Sequence, residues 1–402
     1  STTIDNCDAT GGDSTGGNGD GGRAYGGGIY SKFAATFTDS VISNCSATGG
    51  AGNGSGSGRG GRGGGMEGLG AVTSIDTTWQ GNAATGVDDS AYGGAISFAP
   101  SGTQQLTVTR SVLSGNTAAS TNGEALGAAI SCGGVIEIRE STISSSTATS
   151  GAGGADTIHH ENSSTFLIER STISGNAGGM TIVGSSSATI VNSTISGNSD
   201  PNGGGGITTD TSSLSLTFCT ITLNNGGQAG GVFVSSGVVT MIGTILAGNT
   251  GPSAAATDFL VSSGTLSDGG GNLVGIDDVS NFTNGATQTG STSGGLLNPM
   301  LGALMDNGGL TYTHAPQSGS PAIDNGGSTA VPSTDQRNAP RNVGAADAGA
   351  YEFGATVPSG QGSAGGEGDS RCSVSATGGN IWLLLLAISG MIVLVLMRRR
   401  YA

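Results

Sequence analysis

Charge, aromatic rings and lysine are all scarce in this chain of 402 residues. Charged residues make up 10%, aromatics 4%, and Lys32 is the single lysine. Long runs of Ala, Leu, Glu and Lys are missing, which excludes a helical bundle or a doubly wound α/β enzyme. The five cysteines are Cys7, Cys45, Cys132, Cys219 and Cys372, and no pair has CxxC spacing, so no zinc site is indicated. No Gly-rich loop runs into Lys-Ser or Lys-Thr, so there is no P-loop. A formal net charge of −15 disfavours nucleic acid and anionic lipid headgroups as partners. No signal peptide is visible, and an N-terminal stretch is expected to be missing because the chain opens in mid-repeat.

Glycine is what fills the gap, with 79 residues, alongside Ser, Thr, Asn and short Ile/Val runs. It does not fall at every third position, which excludes collagen. The β-branched content argues against plain disorder. Many short strands and many turns are the remaining solution.

A repeat orders them. Thr-Ile-Ser-Gly-Asn stands at 172–176 and again at 194–198, with relatives at 78–82, 112–116, 142–146, 220–224 and 245–249. The first two copies end in cysteine, at Cys7 and Cys45, and a weaker last copy is expected to end at Asn272. Successive intervals shrink from 38 residues to a floor near 22, the longer ones carrying Gly-rich insertions such as 49–65. A fixed core with variable loops is the mark of a solenoid. Three residues before each final position sits a bulky apolar residue, from Ile4, Ile42 and Trp79 to Ile221 and Leu246. Alternating pairs such as Leu106/Val108 and Ile136/Ile138 give a second strand, buried on one face. Gly-Gly before an apolar residue, as at Gly93-Gly94-Ala95-Ile96, gives a third. Three strands per coil predict an all-β parallel β-helix of about ten rungs, roughly 45–50 Å long at the strand spacing.

Stacking assigns roles to single residues. Cys7 and Cys45 share a coil position in successive rungs, so either a disulfide or a buried thiol pair is expected. Arg110, Glu140 and Arg170 share another, which predicts an alternating surface charge ladder of little individual worth. The Asn positions are expected to form amide ladders at the turns.

The Gly-Gly-Ala-Ile and Thr-Ile-Ser-Gly-Asn segments resemble the repeats of polymorphic outer membrane proteins, which implies a right-handed β-helix on a bacterial surface. Further on come Asn298-Pro-Met-Leu-Gly302, Asp306 to His314, Gly319 to Gly326, Thr334-Asp-Gln-Arg337, Arg341 and Asp347 to Glu352. This series resembles the C-terminal region of choice-of-anchor Q surface proteins. It departs from that pattern at Asn298, Asn338 and Ala348. The resemblance implies no catalytic residues. Asp335, Arg337, Arg341, Asp347 and Glu352 are expected to close a salt-bridged lid over the last rung, because an open β-helix end exposes backbone and core.

The expected domains are therefore β-helix repeats at 1–275, a cap at 276–353, a Gly/Ser stalk at 354–377 and a tail at 378–402. The tail holds an apolar run, 381–397, of about 26 Å if helical, just long enough to cross a bilayer. Arg398, Arg399 and Arg400 would mark its cytoplasmic end. Gly378-Gly379, the helix and the arginines resemble a GlyGly-CTERM sorting signal, which implies a membrane partner and a rhombosortase-type protease.

Chemistry is thinly signalled. His159-His160-Glu161 is expected in a solvated loop, with metal binding the less favoured reading. Gly16 to Asp20 resembles one calcium-binding turn without the tandem copies that mechanism needs. No catalytic, metal or cofactor-binding residue is therefore assigned, calcium having weak support. The expected function is an exported, non-enzymatic surface protein, an adhesin or passenger-like solenoid with a glycan or cell-surface ligand. The alternative is a carbohydrate-active β-helix enzyme, which three or more carboxylates converging with an arginine in one groove would favour.

Overall fold

The computed structural model describes residues 1–359 except 54, 163, 254–256 and 279–280, together with 385–388 and 391–394. The described part of 1–359 is wound entirely from strands and turns. Each coil passes through up to four parallel sheets, one more than the sequence predicts. Sheet 1 stacks eleven strands from Thr3–Asp5 to Gln288–Thr289, and the Thr-Ile-Ser segments lie here. Sheet 2 has five, from Asp8–Thr10 to Thr147–Ser150. Sheet 3 has twelve and carries the Gly-Gly segments. Sheet 4 has nine, from Ala35–Thr38 to Thr265–Asp268, and carries the alternating pairs. Sheet 2 escaped the sequence reading because its strands are built of Ser, Thr, Ala and Gly. Its buried residues are all small: Ala47, Ala84, Gly86, Ala118 and Ser120.

Register follows the repeat. In sheet 1 Ile42 pairs with Trp79, Trp79 with Leu113, Leu113 with Ile143, Ile173 with Ile195 and Ile221 with Leu246. In sheet 4 Leu106, Ile136 and Phe166 stack in the same way. These residues meet in one continuous core, and each fully buried aliphatic side chain contributes on the order of 1.5–3 kcal/mol.

Ladders at the corners hold the rungs in register. Asn82, Asn116, Asn176, Asn198, Asn224 and Asn249 are buried. Nδ2 of Asn198 donates to Oδ1 of Asn224 at 3.0 Å and to the Ile173 carbonyl of the preceding coil at 3.0 Å. Asn224 repeats the pattern toward Asn249. Asn272 does not extend this series. Leu273 pairs with Ile245, so Asn272 aligns with Thr244, whose N–H it accepts at 2.9 Å. It therefore ends a second ladder, of Ser111, Ser141, Ser171 and Ser193, in which each backbone N–H donates to the next hydroxyl at 3.1–3.2 Å.

Ser40, Thr77 and the thiol Cys219 occupy the same position in other coils, and the residue before each position is left-handed. Asp39, Asp76, Arg110, Glu140, Arg170, Asn192 and Phe218 have φ between 46° and 52°. The charge ladder sits on these corners. Arg110 grips Asp76 through two bonds of 2.8 Å, and Arg170 reaches Glu140 at 3.1 Å. Cys7 and Cys45 head the Asn ladder, and the Cys45 N–H donates to Asn82. Both are thiols, not a disulfide, and burial raises the Cys45 thiol above its ordinary value.

The segment from 298 to 355 does not lie as a lid over the last rung. It runs back along the flank of sheet 1, from the last coils, where Ala322 and Ala348 pack on Ile245 and Leu273, to the coil of Arg170. Thr311 Oγ1 donates to the Arg170 carbonyl at 3.0 Å, His314 meets Ser196 Oγ at 2.8 Å, and the Gly349 N–H donates to the Gly243 carbonyl. Gln336 bonds Thr194 and Thr172. The reason is chemical: the outward side chains of these strands are Thr and Ser, whose hydroxyls need partners once covered. The salt bridges form as expected, Arg337 to Asp335 at 2.7 Å and Arg341 to Glu352 at 3.3 Å. Arg341 also stacks 4.6 Å from the centre of the buried Phe218 ring. The described residues of 1–359 belong to one compact unit.

Of the stalk, only 354–359 is described; Cys372, Gly378, Gly379, Arg398, Arg399 and Arg400 lie outside the described residues. Within 381–397, Leu385–Ile388 and Met391–Leu394 pair as antiparallel strands, and the rest is outside the description. Among the described residues no helix is long and apolar enough to cross a membrane.

Candidate functional site

Sheet 3 differs from the other faces in what its strands turn outward. Each early coil makes a glycine corner in mid-sheet. Gly63, for example, has φ of 65°, and a Cβ on Gly65 would press on Trp79. The corner leaves two outward rows. One runs Tyr25, Arg62, Tyr92, Leu126, Asp156. The other runs Tyr30, Glu67, Ser97, Ser131, His159, Thr181. Between them the inward row, Met66, Ile96, Ile130 and Ile158, belongs to the core.

His159, His160 and Glu161 are thus not in a solvated loop. The strand Ala155–His160 continues the register of Ala125–Cys132, placing His159 beside Ser131 and His160 beside Cys132. His160 points inward, fully buried, its ring centre 5.1 Å from that of Phe166. Burial holds its imidazole down at about 4, so it is neutral. His159 points outward into a cavity of about 420 Å³ lined also by Glu124, Asp156, Glu161, Thr181, Asp200, Asn202 and Thr208.

Four carboxylates line the cavity with one imidazole, and two of them engage it. His159 Nδ1 lies 2.8 Å from Asp156 Oδ2, and Nε2 lies 3.8 Å from Glu161 Oε2. Thr181 Oγ1 donates to the other Asp156 oxygen at 2.6 Å. Burial opposes charge on His159, but its bonds to Asp156 and Glu161 outweigh that and raise it to about 9. It is an imidazolium at neutral pH. The same contact pulls Glu161 below the usual carboxylate range, with the Arg62 charge adding to the effect. Asp200 is pushed the other way, to about 6, first by burial and also by the Asp156 charge. Environments that drive two carboxyl groups apart in this way make one a proton donor and the other a base.

The sequence singled out His159, His160 and Glu161 but missed Glu124, Asp156 and Asp200. A signal existed. Aligning the pair Ile158-His159 with Ile96-Ser97 and Ile130-Ser131 puts His159 where other coils carry a serine. Asp20, in the turn resembling a calcium loop, is engaged by Ser57 N–H and Arg59. Among the described residues no three His, Cys, Asp or Glu are placed to hold a metal ion.

A family profile described as a right handed beta helix region matches residues 94–296, half of the chain, and spans the whole cavity. No curated protein and no solved structure matches.

Proposed function

Because the chain belongs to the right-handed β-helix family, we propose that it is a carbohydrate-active surface protein that cleaves a polysaccharide lying across sheet 3. The observation that carries this reading is the cavity in which Glu161 and Asp200 are driven apart in acidity on either side of the Asp156–His159 pair. Asp200, largely protonated below pH 6, acts as the general acid on the glycosidic oxygen. Glu161, ionised and half exposed, acts as the base that activates water. The His159 imidazolium, held by Asp156, orients the site and offsets the charge of the carboxylates around it. The convergence of four carboxylates, with the Arg62 charge felt at Glu161, is the arrangement that favours an enzyme over a purely binding solenoid. Export belongs to the proposal. The Gly/Ser stalk, the apolar run 381–397 and the arginine cluster support a C-terminal anchor or sorting tail that keeps the solenoid outside the cell.

The test is release of reducing ends from a panel of plant, algal and microbial polysaccharides by the purified protein. Cleavage is expected, with Asp200→Asn and Glu161→Gln each reducing it by about 10²–10⁴-fold. Binding to polymers without any cleavage would replace this reading with that of a non-enzymatic adhesin, which the anchor-like tail equally serves.

A further inference from the structure

The cavity on sheet 3 is lopsided in charge. Glu124, Asp156, Glu161 and Asp200 line it, and no arginine or lysine does. Even with Asp200 protonated, three carboxylates stand against the single imidazolium of His159. The arginines of neighbouring coils do not redress this, because they are engaged elsewhere: Arg110 by Asp76, Arg139 by Glu169 and Arg170 by Glu140. Arg62, whose charge reaches Glu161, lies over the Tyr92 ring outside the lining. A cleft lined by one sign of charge concentrates ligands of the other.

Two of the four carboxyl groups are left for a ligand. Asp200 is 3% exposed and lines the cavity. Its Oδ1 accepts the Asn202 N–H at 2.9 Å, but among the described residues no side chain donates to it and no cation pairs with it. The charge it feels is that of like-signed Asp156. A buried carboxyl so placed is completed by a polar atom from outside the chain. Glu124 is the second. Ala125 pairs with Ala155, so Glu124 stands opposite Gly154, where the missing side chain leaves it room: a Cβ there would lie 3.1 Å from Glu124 Oε1. The Glu124 N–H donates to Ser90 Oγ, while its carboxylate has no partner among the described residues. Leu126, Ala155 and Val183 add an apolar wall, which with a few convergent polar groups is the usual make-up of a small-ligand site.

We propose that the sugar unit held in this cavity carries a free ammonium group, received by Glu124, so that the substrate is a cationic polysaccharide of amino sugars. This rests on the reading of the cavity as a cleavage site, in which Asp200 meets the glycosidic oxygen, and it fixes the sign of the substrate. A carboxylated or sulfated unit would bring like charge to a lining with no arginine or lysine to receive it. An N-acetylated unit keeps the ring and loses the charge, which separates recognition of charge from recognition of shape.

The full-length protein is titrated, at weakly acidic pH where the amine is charged, with chitosan oligosaccharides, with chitin oligosaccharides of the same length and with oligolysine. Chitosan is expected to bind at least tenfold more tightly than chitin, with affinity falling as salt rises. Glu124→Gln is expected to keep the melting temperature, its carboxylate having no partner to lose, and to shrink the preference for chitosan about fivefold. Asp278→Asn removes the same charge at an exposed position on a later coil and is expected to leave the preference as it was. Chitin binding as tightly as chitosan overturns the proposal, as does no binding to chitosan. An Asp278→Asn loss equal to that of Glu124→Gln also overturns it, since the attraction is then to the acidic protein as a whole. Oligolysine that displaces chitosan from the parent but not from Glu124→Gln makes the occupant a basic peptide and overturns it too. The two readings fail separately. Glu124-dependent chitosan binding with no cleavage of any polymer removes the enzyme and leaves this site. Cleavage of a neutral or acidic polymer, with chitosan no better than chitin, does the reverse.

Discussion

Two clusters of buried charge sit on this solenoid, and they are built to opposite ends. In the segment along sheet 1, Asp335 accepts from the Arg337 backbone and guanidinium and from the N–H groups of Ala339 and Glu352. Glu352 accepts from Arg341 and from the Asp347 N–H. Three carboxylates and two guanidiniums are consumed by their neighbours and by the backbone, and they fasten the segment to the coils. On sheet 3, four carboxylates line one cavity, and two of them, Asp156 and Glu161, engage a single imidazolium. Burial of charge is common to both. The difference is access: the first cluster turns its charges on its own chain, leaving only Arg341 Nε and Glu352 Oε1 without a partner, and the second keeps an acid, a base and room for a third party. Buried charge marks function when it is left open to a cavity.

The comparison is broken most severely if altering the open cluster costs stability and no chemistry. The expected result for Asp200→Asn is a cleavage rate lower by about 10²–10⁴-fold with an almost unchanged melting temperature, because an amide replaces a carboxyl that is already largely protonated below pH 6. The parent's rate should trace a bell. It should rise as pH climbs through the depressed Glu161 value and fall as pH passes about 6 and Asp200 loses its proton. A rate that is flat from pH 4 to 8 would remove both residues from their roles.

Closed clusters should answer with stability. Arg341→Met strands Glu352 and Asp347 under cover and is expected to cost about 3–5 kcal/mol, read from denaturant midpoints. Cleavage per folded molecule should stay as it was. A loss below about 1 kcal/mol would mean that the network on this flank does not fasten the segment.

How much of this could be read from the residues differs between the two clusters. Coil spacing, the bulky apolar position, the Asn ladder and the partners Asp335, Arg337, Arg341 and Glu352 were legible, because each repeats or carries a motif. Sheet 2 was not, since Ser-Ala-Thr strands have no apolar alternation to show. The placement of the segment 298–355 was not, since its contacts are to hydroxyls of Thr172, Thr194, Ser196 and Thr220, residues that look alike in every coil. The open cluster was half legible. His159 and Glu161 stood out as residue types. Asp156 and Asp200 come from different coils, and only the register of stacked strands brings them to one cavity.

A smaller effect sharpens the contrast at Glu67, whose carboxyl is buried near Ser97 and Arg62 and pushed up to about 7 by burial. The folded state holds this proton more firmly than the unfolded chain, whose value lies near 4.5. Its contribution to stability is therefore complete below about pH 4.5 and is lost as pH rises through about 7. Glu67→Gln should match the parent at pH 4.5 and exceed it by about 3 kcal/mol at pH 8, the equivalent of the shift in acidity. The measurement is the difference between parent and variant midpoints at the two pH values, which cancels the other titrating groups. An equal difference at both would mean that Glu67 is ionised in the fold.

The least effect is expected where charge is neither buried nor open to a cavity. Arg110 and Asp76 meet through two good hydrogen bonds on neighbouring corners, but their side chains are 40% and 39% exposed. Water and salt screen such a pair, so Arg110→Ala should cost no more than about 1 kcal/mol, and less as salt is raised. Alanine keeps the same left-handed backbone strain as arginine, so the substitution reads the ion pair and little else. A loss that approaches that of Arg341→Met would show that the corner ladder, and not the burial of charge, sets the strength of electrostatics on this solenoid.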